Sequence, residues 1–145
     1  MTTILVVDDE ECVRDVVRDV LDNPDCRVLE AADGASGMEL ARSQSPDVIL
    51  LDCLLPGTSG VEVLHQLKQG ATAHIPVILM SGEEADERIC RAVITSGAGY
   101  LLKPFGRSDL LMKIREVITA AKIKPSRSIT DLDRPALHAA TWPLP

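Results

Sequence analysis

The sequence lacks three features that mark membrane proteins, secreted proteins and nucleic-acid-binding proteins respectively. The longest apolar runs are short, as at Val48 to Leu51, so no segment can span a membrane as a helix. The residues after Met1 lack the basic start and the long apolar stretch of a secretory signal. Lysine and arginine form no cluster that could hold a nucleic acid. We therefore expect a cytoplasmic protein that binds neither a membrane nor nucleic acid directly.

Cysteine motifs are also lacking. The four cysteines are scattered, with no C-x-x-C pair and no Cys/His spacing of a metal ligand set: Cys12, Cys26, Cys53 and Cys90. This pattern excludes a zinc site and a redox pair. In a chain without an export signal we expect reduced thiols.

The composition that remains suits one globular domain. The chain has 145 residues, of which 46% are hydrophobic, 26% charged and only 2% aromatic. Its net charge is −7, and the charge is uneven: residues 1–70 carry 5 basic and 14 acidic side chains, whereas residues 71–145 carry 10 and 8. The acidic excess of the first half fits either solvated helix faces or a cluster of acids at one place.

Short apolar segments alternate five times with segments whose apolar residues repeat at helical spacing. The predicted strands are Thr3–Val7, Cys26–Ala31, Val48–Leu51, Val77–Met80 and Tyr100–Leu102. A helix is predicted after each strand, and the fourth is placed at Glu83 to Thr95. Parallel strands need crossover connections, so the pattern predicts an α/β fold, a doubly wound five-stranded parallel sheet with helices on both faces.

Polar residues directly follow four of these strands. They are Asp8 and Asp9, Asp52, Ser81 and Lys103. The carboxyl ends of parallel strands share one edge, where functional groups of such sheets lie. Three adjacent carboxylates repel each other unless a cation joins them, and Mg²⁺ prefers carboxylate oxygens. A metal, a lysine and a hydroxyl around one aspartate suit the binding of a phosphoryl group and its transfer to that aspartate.

With these residues the chain resembles the receiver domains of two-component response regulators. The matching segments follow in order: Val6-Val7-Asp8-Asp9-Glu10, Leu51-Asp52 followed by Pro56 and Gly60, Met80-Ser81-Gly82, and Tyr100-Leu101-Leu102-Lys103-Pro104-Phe105. Each segment alone is weak, but four in order are highly specific. The resemblance implies the flavodoxin-like strand order 2-1-3-4-5, which the chemotaxis member of the family has.

The resemblance also implies a role for each residue of the acidic site. Asp52 is the phosphoacceptor, and Lys103 pairs with the phosphoryl oxygens. Asp9 binds Mg²⁺ directly, Asp8 acts through water, and Asp52 and the main-chain carbonyl of Leu54 supply further ligands.

Further roles implied by the resemblance concern switching and tuning. Ser81 is the hydroxyl that moves to the phosphoryl group, and Tyr100 is the aromatic side chain that turns inward with it. Leu54 and Glu83 flank the site and tune the lifetime of the phosphorylated form. Pro104 follows a cis peptide bond, the type of bond found almost only before proline.

The implied function is a phosphoryl-accepting signalling switch in a two-component phosphorelay, spanning residues 1–121. A histidine kinase or a histidine phosphotransfer protein supplies the phosphoryl group. The response alters the face formed by the fourth helix, the fifth strand and the fifth helix, where a partner or a second copy docks to form a homodimer. Such a domain is not an enzyme of metabolism, although it assists its own phosphorylation and dephosphorylation. Residues 122–145 are expected to form a proline-containing tail or linker.

The same residues bear on three alternative functions. A receiver-like adaptor that binds partners without phosphorylation stays open as an alternative. A phosphohydrolase with an aspartate nucleophile would need a second acid, which Asp52-Cys53-Leu54 lacks. A flavin-binding protein would need a Ser/Thr/Gly-rich loop in place of Asp8-Asp9-Glu10-Glu11. Whether the receiver stands alone or belongs to a larger protein stays open.

Overall fold

Five β/α units form the structure, a computed structural model that describes residues 1–82 and 86–123. In chain order the elements are β1 Thr2–Val7, α1 Glu11–Val20, β2 Cys26–Ala31, α2 Gly34–Gln44, β3 Val48–Asp52, α3 Gly60–Leu67, β4 Val77–Ser81, α4 Glu87–Ser96, β5 Gly99–Leu102 and α5 Arg107–Ile123. A two-residue antiparallel pair, Leu54–Leu55 with Thr58–Ser59, lies between β3 and α3. A single 3₁₀ turn at Gly70–Thr72 precedes β4.

The five main strands form one parallel sheet in the order β2-β1-β3-β4-β5. Val7, the last residue of β1, lies opposite Ala31 on one side and Leu51 on the other. At the far side of the sheet Ser81 lies opposite Leu102. This is the predicted order 2-1-3-4-5, and it brings the carboxyl ends of all five strands to one edge.

Two apolar layers cover the two faces of the sheet because alternate strand residues point to opposite sides. One layer joins Leu5, Leu51 and Leu79 to helices α2, α3 and α4. The other joins Leu50 and Met80 to helices α1 and α5. All five residues of β3 are buried, as expected of a central strand. Each fully buried leucine or isoleucine contributes about 1.5–3 kcal/mol, so this packing fixes the strand ends firmly.

Helix α4 begins later than the sequence predicted. The predicted start at Glu83 is wrong, because Asp86 has an extended backbone and its side chain accepts a hydrogen bond from the N–H of Ile89 at 3.0 Å. That bond makes Asp86 the N-cap and Glu87 the first helical residue. Glu83 itself lies outside the described residues.

Two features near β5 complete the frame of the site. Gly97, with φ +75°, ends α4 in a left-handed conformation that favours glycine, and β5 follows two residues later. The Lys103–Pro104 peptide bond is cis, which confirms the prediction made from the resemblance.

The end of the described chain lies just beyond the predicted domain boundary. Helix α5 ends at Ile123, so a boundary at residue 121 falls in its last turn. The predicted tail lies outside the described residues from residue 124 onward. Within residues 1–82 and 86–123, no helix combines the length and the apolar character needed to cross a membrane.

Candidate functional site

The carboxyl edge of the sheet gathers the polar residues predicted to form the site. Asp8 directly follows β1, Asp52 ends β3, Ser81 ends β4 and Lys103 directly follows β5. Asp8, Asp52 and Ser81 are buried, and Asp52 keeps only 5% of its surface exposed. Asp9, one residue beyond Asp8, is exposed. Buried acids at strand ends need compensating charge, so their neighbours decide the chemistry.

The ammonium group of Lys103 lies among three carboxylates. Its Nζ is 2.7 Å from Asp8 Oδ2, 3.3 Å from Asp52 Oδ1 and 3.5 Å from Glu10 Oε1. The main chain of Lys103 is held too, because its N–H donates to the carbonyl oxygen of Ser81 at 2.7 Å. One positive charge thus ties the ends of β1, β3 and β5 together.

The electrostatics of the site leave it short of positive charge. Burial, and then the negative charge of Asp8, raise the pKa of Asp52 to about 6, although Lys103 partly offsets both effects. Burial by itself would lower the pKa of Lys103, but the hydrogen bond to Asp8 and the charge of Asp52 raise that pKa above its ordinary value. The lysine therefore stays protonated, and a further cation would stabilise the ionised carboxylates.

The three aspartates also satisfy the basic requirement of a small divalent cation. One carboxylate oxygen from each of Asp8, Asp9 and Asp52 lies within 4.8 Å of the others. At Mg²⁺–oxygen distances of about 2.1 Å, adjacent ligands lie about 3.0 Å apart and opposite ligands about 4.2 Å apart, so direct binding would draw these oxygens together, whereas an oxygen that binds through water could stay further out. The exposure of Asp9 leaves room for the water ligands that Mg²⁺ keeps. The residues present therefore fit Mg²⁺.

Ser81 and Tyr100, the predicted switch pair, lie in different surroundings. Ser81 is buried and borders a pocket of about 130 Å³ between the end of β3 and α4, which Leu54 and Arg88 also line. Tyr100 lies in β5 opposite Leu79 and packs, half-buried, against the apolar layer of helices α2 to α4. The strand register thus places Tyr100 two residues short of the edge at which Ser81 lies.

The two predicted tuning positions differ in what the structure shows. The side chain of Leu54 is 74% exposed, and its main-chain N–H lies 3.4 Å from Asp52 Oδ1. An apolar group therefore lies at the solvent side of Asp52. Glu83 lies outside the described residues.

The cysteines agree with the expectation of reduced thiols. All four lie in the described part of the chain, and none forms a disulfide. Burial, followed by the charge of Asp52, raises the pKa of the neighbouring Cys53 thiol to about 11. Cys53 therefore stays protonated and acts as a small apolar residue next to the site.

Sequence reasoning missed two residues that contact this cluster. Glu10 brings a fourth carboxylate to Lys103, at 3.5 Å. Arg14, on α1, donates from Nη1 to the main-chain carbonyl of Asp8 at 2.7 Å. A basic residue one turn into a helix that follows an acidic strand end was the available signal for Arg14, but the spacing alone does not show where its side chain reaches.

With the fold and the geometry of the site established, comparison with known proteins gives a consistent result. The family model described as the response regulator receiver domain matches residues 4–115. The chain therefore belongs to the receiver domain family of the two-component response regulators.

Individual relatives agree with this assignment. The chain is 31% identical to the chemotaxis protein CheY of Halobacterium salinarum, with 81% of this chain and 97% of that protein covered. It is 34% identical to the probable transcriptional regulatory protein TcrX of Mycobacterium tuberculosis, with 80% and 49% covered. The chain thus spans about half the length of that regulator. A crystal structure of a CheY-like receiver domain from Methanospirillum hungatei superposes with a TM-score of 0.78 at 26% identity, covering 86% of this chain and 98% of that one.

Proposed function

We propose that this receiver domain accepts a phosphoryl group at Asp52 with the help of Mg²⁺ and acts as a switch in a two-component phosphorelay. The observation that carries the proposal is the position of Asp52. Its carboxylate is buried at the end of the central strand, 3.3 Å from the ammonium of Lys103 and beside the carboxylates of Asp8 and Asp9. That arrangement supplies a nucleophile, a cation for the phosphoryl oxygens and ligands for a metal.

The proposed transfer needs only a short rearrangement of groups already in contact. A carboxylate oxygen of Asp52 attacks the phosphorus of a phosphohistidine on a histidine kinase or a phosphotransfer protein. The new P–O bond forms as the P–N bond breaks, and the imidazole nitrogen keeps the electron pair. Lys103 turns from Asp52 Oδ1 to a phosphoryl oxygen. Asp8, Asp9, Asp52 and the carbonyl of Leu54 would hold Mg²⁺, which when bound neutralises charge on the phosphoryl oxygens.

The proposed switch involves Ser81 and Tyr100. The hydroxyl of Ser81 would donate to a phosphoryl oxygen on Asp52, and Tyr100 would move inward with it. The population then shifts between two states of the face formed by α4, β5 and α5. The domain acts in signalling, and its contribution to chemistry is limited to its own phosphorylation and dephosphorylation. The predicted cytoplasmic location and the domain limits at residues 121 and 122 stay part of this proposal.

The α4–β5–α5 face has an apolar character that suits docking. Ile94 on α4, Leu102 on β5 and Met112 on α5 are large apolar side chains exposed to solvent. Exposed apolar residues that share one face favour a protein partner. We propose a second copy as that partner, and light scattering before and after phosphorylation measures whether the molar mass doubles. A constant molar mass would contradict the homodimer, and the partner at this face would then be a different protein.

Phosphorylation is tested with the whole chain, Mg²⁺ and a small phosphodonor, read by intact mass. One added phosphoryl group is expected in the wild type and none in Asp52→Asn. Asp19→Asn is the matched control, because Asp19 is an exposed acid on α1. Labelling that persists in Asp52→Asn would contradict the assignment of the phosphoacceptor. No labelling of the wild type by any donor would favour the adaptor that binds partners without phosphorylation.

The tuning positions are tested through the lifetime of the labelled form. The exposed apolar side chain of Leu54 would hinder the water that attacks the phosphoryl group, whereas Glu83 would oppose this effect. The substitution Leu54→Asn is therefore expected to shorten the half-life of the phosphorylated protein, measured by the decay of the added mass. An unchanged half-life would remove Leu54 from this role.

A further inference from the structure

The peptide group that joins Asp8 to Asp9 lies beyond the last pair of the sheet. The final paired residue of β1 is Val7, opposite Ala31 of β2. One more hydrogen bond continues the ladder, from the N–H of Asp8 to the carbonyl oxygen of Ala31 at 3.0 Å. The carbonyl of Asp8 comes after that bond and needs a donor from elsewhere.

Arg14 supplies that donor. Its Nη1 lies 2.7 Å from the carbonyl oxygen of Asp8, and its Nε lies 3.2 Å from Oε1 of Glu30 in β2. Glu30 directly precedes Ala31, so the contacts close a ring: Asp8 to Ala31, along the chain to Glu30, across to Arg14 and back to Asp8. A planar guanidinium with fixed donor directions makes such a ring rigid.

The ring acts on the carboxylates through the backbone. The N–H and the carbonyl of Asp8 belong to the peptide groups on either side of its Cα, and with both held the backbone of Asp8 has a fixed orientation, as has the start of Asp9. The side chain of Asp8 is then placed to accept from the N–H of Glu10 at 2.9 Å and from Lys103 at 2.7 Å. Arg14 touches no carboxylate of the acidic site, so it acts through the main chain alone.

We propose that Arg14 is a positioning residue that sets the geometry of the Asp8–Asp9 pair and thereby the affinity of the acidic site for Mg²⁺. This inference rests on the proposed function, in which these carboxylates bind the ion. Partners that orient metal ligands typically change metal affinity by about 10–100-fold when they are removed.

Arg18 offers a matched control on the same helix. It also pairs with Glu30, at 2.5 Å, and with Asp15 at 2.5 Å. However, its side chain is 50% exposed, whereas that of Arg14 is 16% exposed. The ion pairs of Arg18 are with Glu30 and Asp15, so replacing it removes the same charge and leaves the Arg14–Asp8 contact in place.

The sign of the change separates positioning from simple charge. Removing a positive charge near an acidic site strengthens the attraction for a cation, so an electrostatic effect alone would tighten Mg²⁺ binding in both Arg14→Ala and Arg18→Ala. Positioning predicts the opposite for Arg14→Ala: weaker binding, with a dissociation constant for Mg²⁺ about tenfold larger. Arg14→Lys keeps the charge and one donor, and it should recover part of the loss.

The experiment uses the full chain with MgCl₂ in calorimetric titrations, after circular dichroism shows that each variant is folded. Unchanged or tighter binding in Arg14→Ala would overturn the proposal. So would an equal weakening in Arg18→Ala, since the effect would then belong to Glu30 and not to the Asp8 contact.

A metal-free measurement separates this inference from the proposed function. Amide exchange of the Glu10 N–H reports the bond to Asp8 Oδ1, and it should be at least about tenfold faster in Arg14→Ala but unchanged in Arg18→Ala. If the wild type binds no Mg²⁺, the cation step of the proposed function is wrong. The exchange rates still decide whether Arg14 holds the Asp8 peptide, and equal rates in wild type and Arg14→Ala would refute that.

Discussion

Asp52 has two unlike sides. On the acidic side, formed by Asp8, Glu10 and Lys103, charged groups meet within 3.5 Å and the ends of three strands are tied together. On the serine side, formed by Ser81 and Leu54, a pocket of about 130 Å³ separates β3 from α4. Charged contacts hold the groups of the first side in place, with a pocket of about 450 Å³ outside Glu10 and Lys103, whereas the second side has space next to Ser81 itself.

The difference matches the two tasks of the proposed switch. Binding a metal and a phosphoryl group requires charges held in place, because electrostatic stabilisation works only when the groups need little reorganisation. A change of state requires a side with space and weaker contacts. Arg88 illustrates the weaker kind, since its Nη2 reaches Oγ of Ser59, the N-cap residue before α3, at 3.3 Å in an exposed position.

The largest loss of stability is expected from adding a methyl group at Gly60, which packs directly against the backbone of Asp52. A Cβ at Gly60 would lie 2.2 Å from the carbonyl oxygen of Asp52 and 2.8 Å from Cys53 Cα. Backbone atoms of the central strand cannot yield, so Gly60→Ala should lower the free energy of unfolding by about 4 kcal/mol or more. Denaturant titration measures this loss.

The contrasting change, at the glycine that directly follows Ser81, is Gly82→Ala. Within the described residues a Cβ at Gly82 meets no atom within 4 Å, so the stability should change by less than about 0.5 kcal/mol. Equal losses at Gly60 and Gly82 would show that the backbone after β4 is as crowded as the backbone around Asp52.

Removing the cation from the acidic side should give the next largest effect. Lys103→Met keeps an apolar stem but leaves the buried carboxylates of Asp8 and Asp52 without their partner, which costs about 3 kcal/mol of unfolding free energy without a metal. Lys113→Met is the control, because Lys113 pairs at 3.5 Å with the exposed Glu116, and such pairs contribute less than about 1 kcal/mol. If Lys103→Met lowered the unfolding free energy by less than about 1 kcal/mol, the three carboxylates would not depend on this lysine.

The fold was predictable because its signals are local. Apolar segments that end in polar residues placed all five strands to within about one residue, and the alternation with helices left little choice of topology. The start of α4 was missed for a local reason as well. Glu83 and Glu84 look like the acidic first turn of a helix, but the side chain of Asp86 caps the helix three residues later.

The site was predictable only where it coincides with strand ends. Asp8, Asp52 and Lys103 were found because parallel strands bring their carboxyl ends together. Arg14 was not, because its side chain returns from a helix to a carbonyl six residues earlier, and periodicity carries no record of that contact. The raised pKa of Asp52 likewise depends on burial and on Asp8, and both become visible only in three dimensions.

A smaller effect, with a definite pH dependence, follows from that raised pKa. In the unfolded chain Asp52 titrates near its ordinary value, whereas in the fold its pKa is about 6. The folded state therefore binds more protons between about pH 4 and 6, and the contribution of Asp52 to stability falls as the pH rises through this window. Allowing for solvent screening, ionised Asp52 should cost about 1–2 kcal/mol at pH 8 without divalent cations.

Asp52→Asn should abolish that cost. At pH 8 in a chelator the variant is expected to be more stable than the wild type, and below pH 4 the difference should disappear. Thermal unfolding across this range is the measurement, with Asp19→Asn as a control that keeps the wild-type pH profile. A wild-type stability that rises between pH 4 and 6 because of Asp52 would mean that Lys103 outweighs burial and the charge of Asp8.

The smallest effect is the stabilisation of the acidic side by Mg²⁺. At five times its dissociation constant a ligand that binds only the folded chain adds about 1 kcal/mol to the unfolding free energy. Asp9→Ala should remove this response while leaving the metal-free stability nearly unchanged, because Asp9 is exposed. Ser81→Ala, on the serine side, should keep the response. If Ser81→Ala lost the Mg²⁺ response and Asp9→Ala kept it, the metal would lie on the serine side, and the division of labour around Asp52 would be reversed.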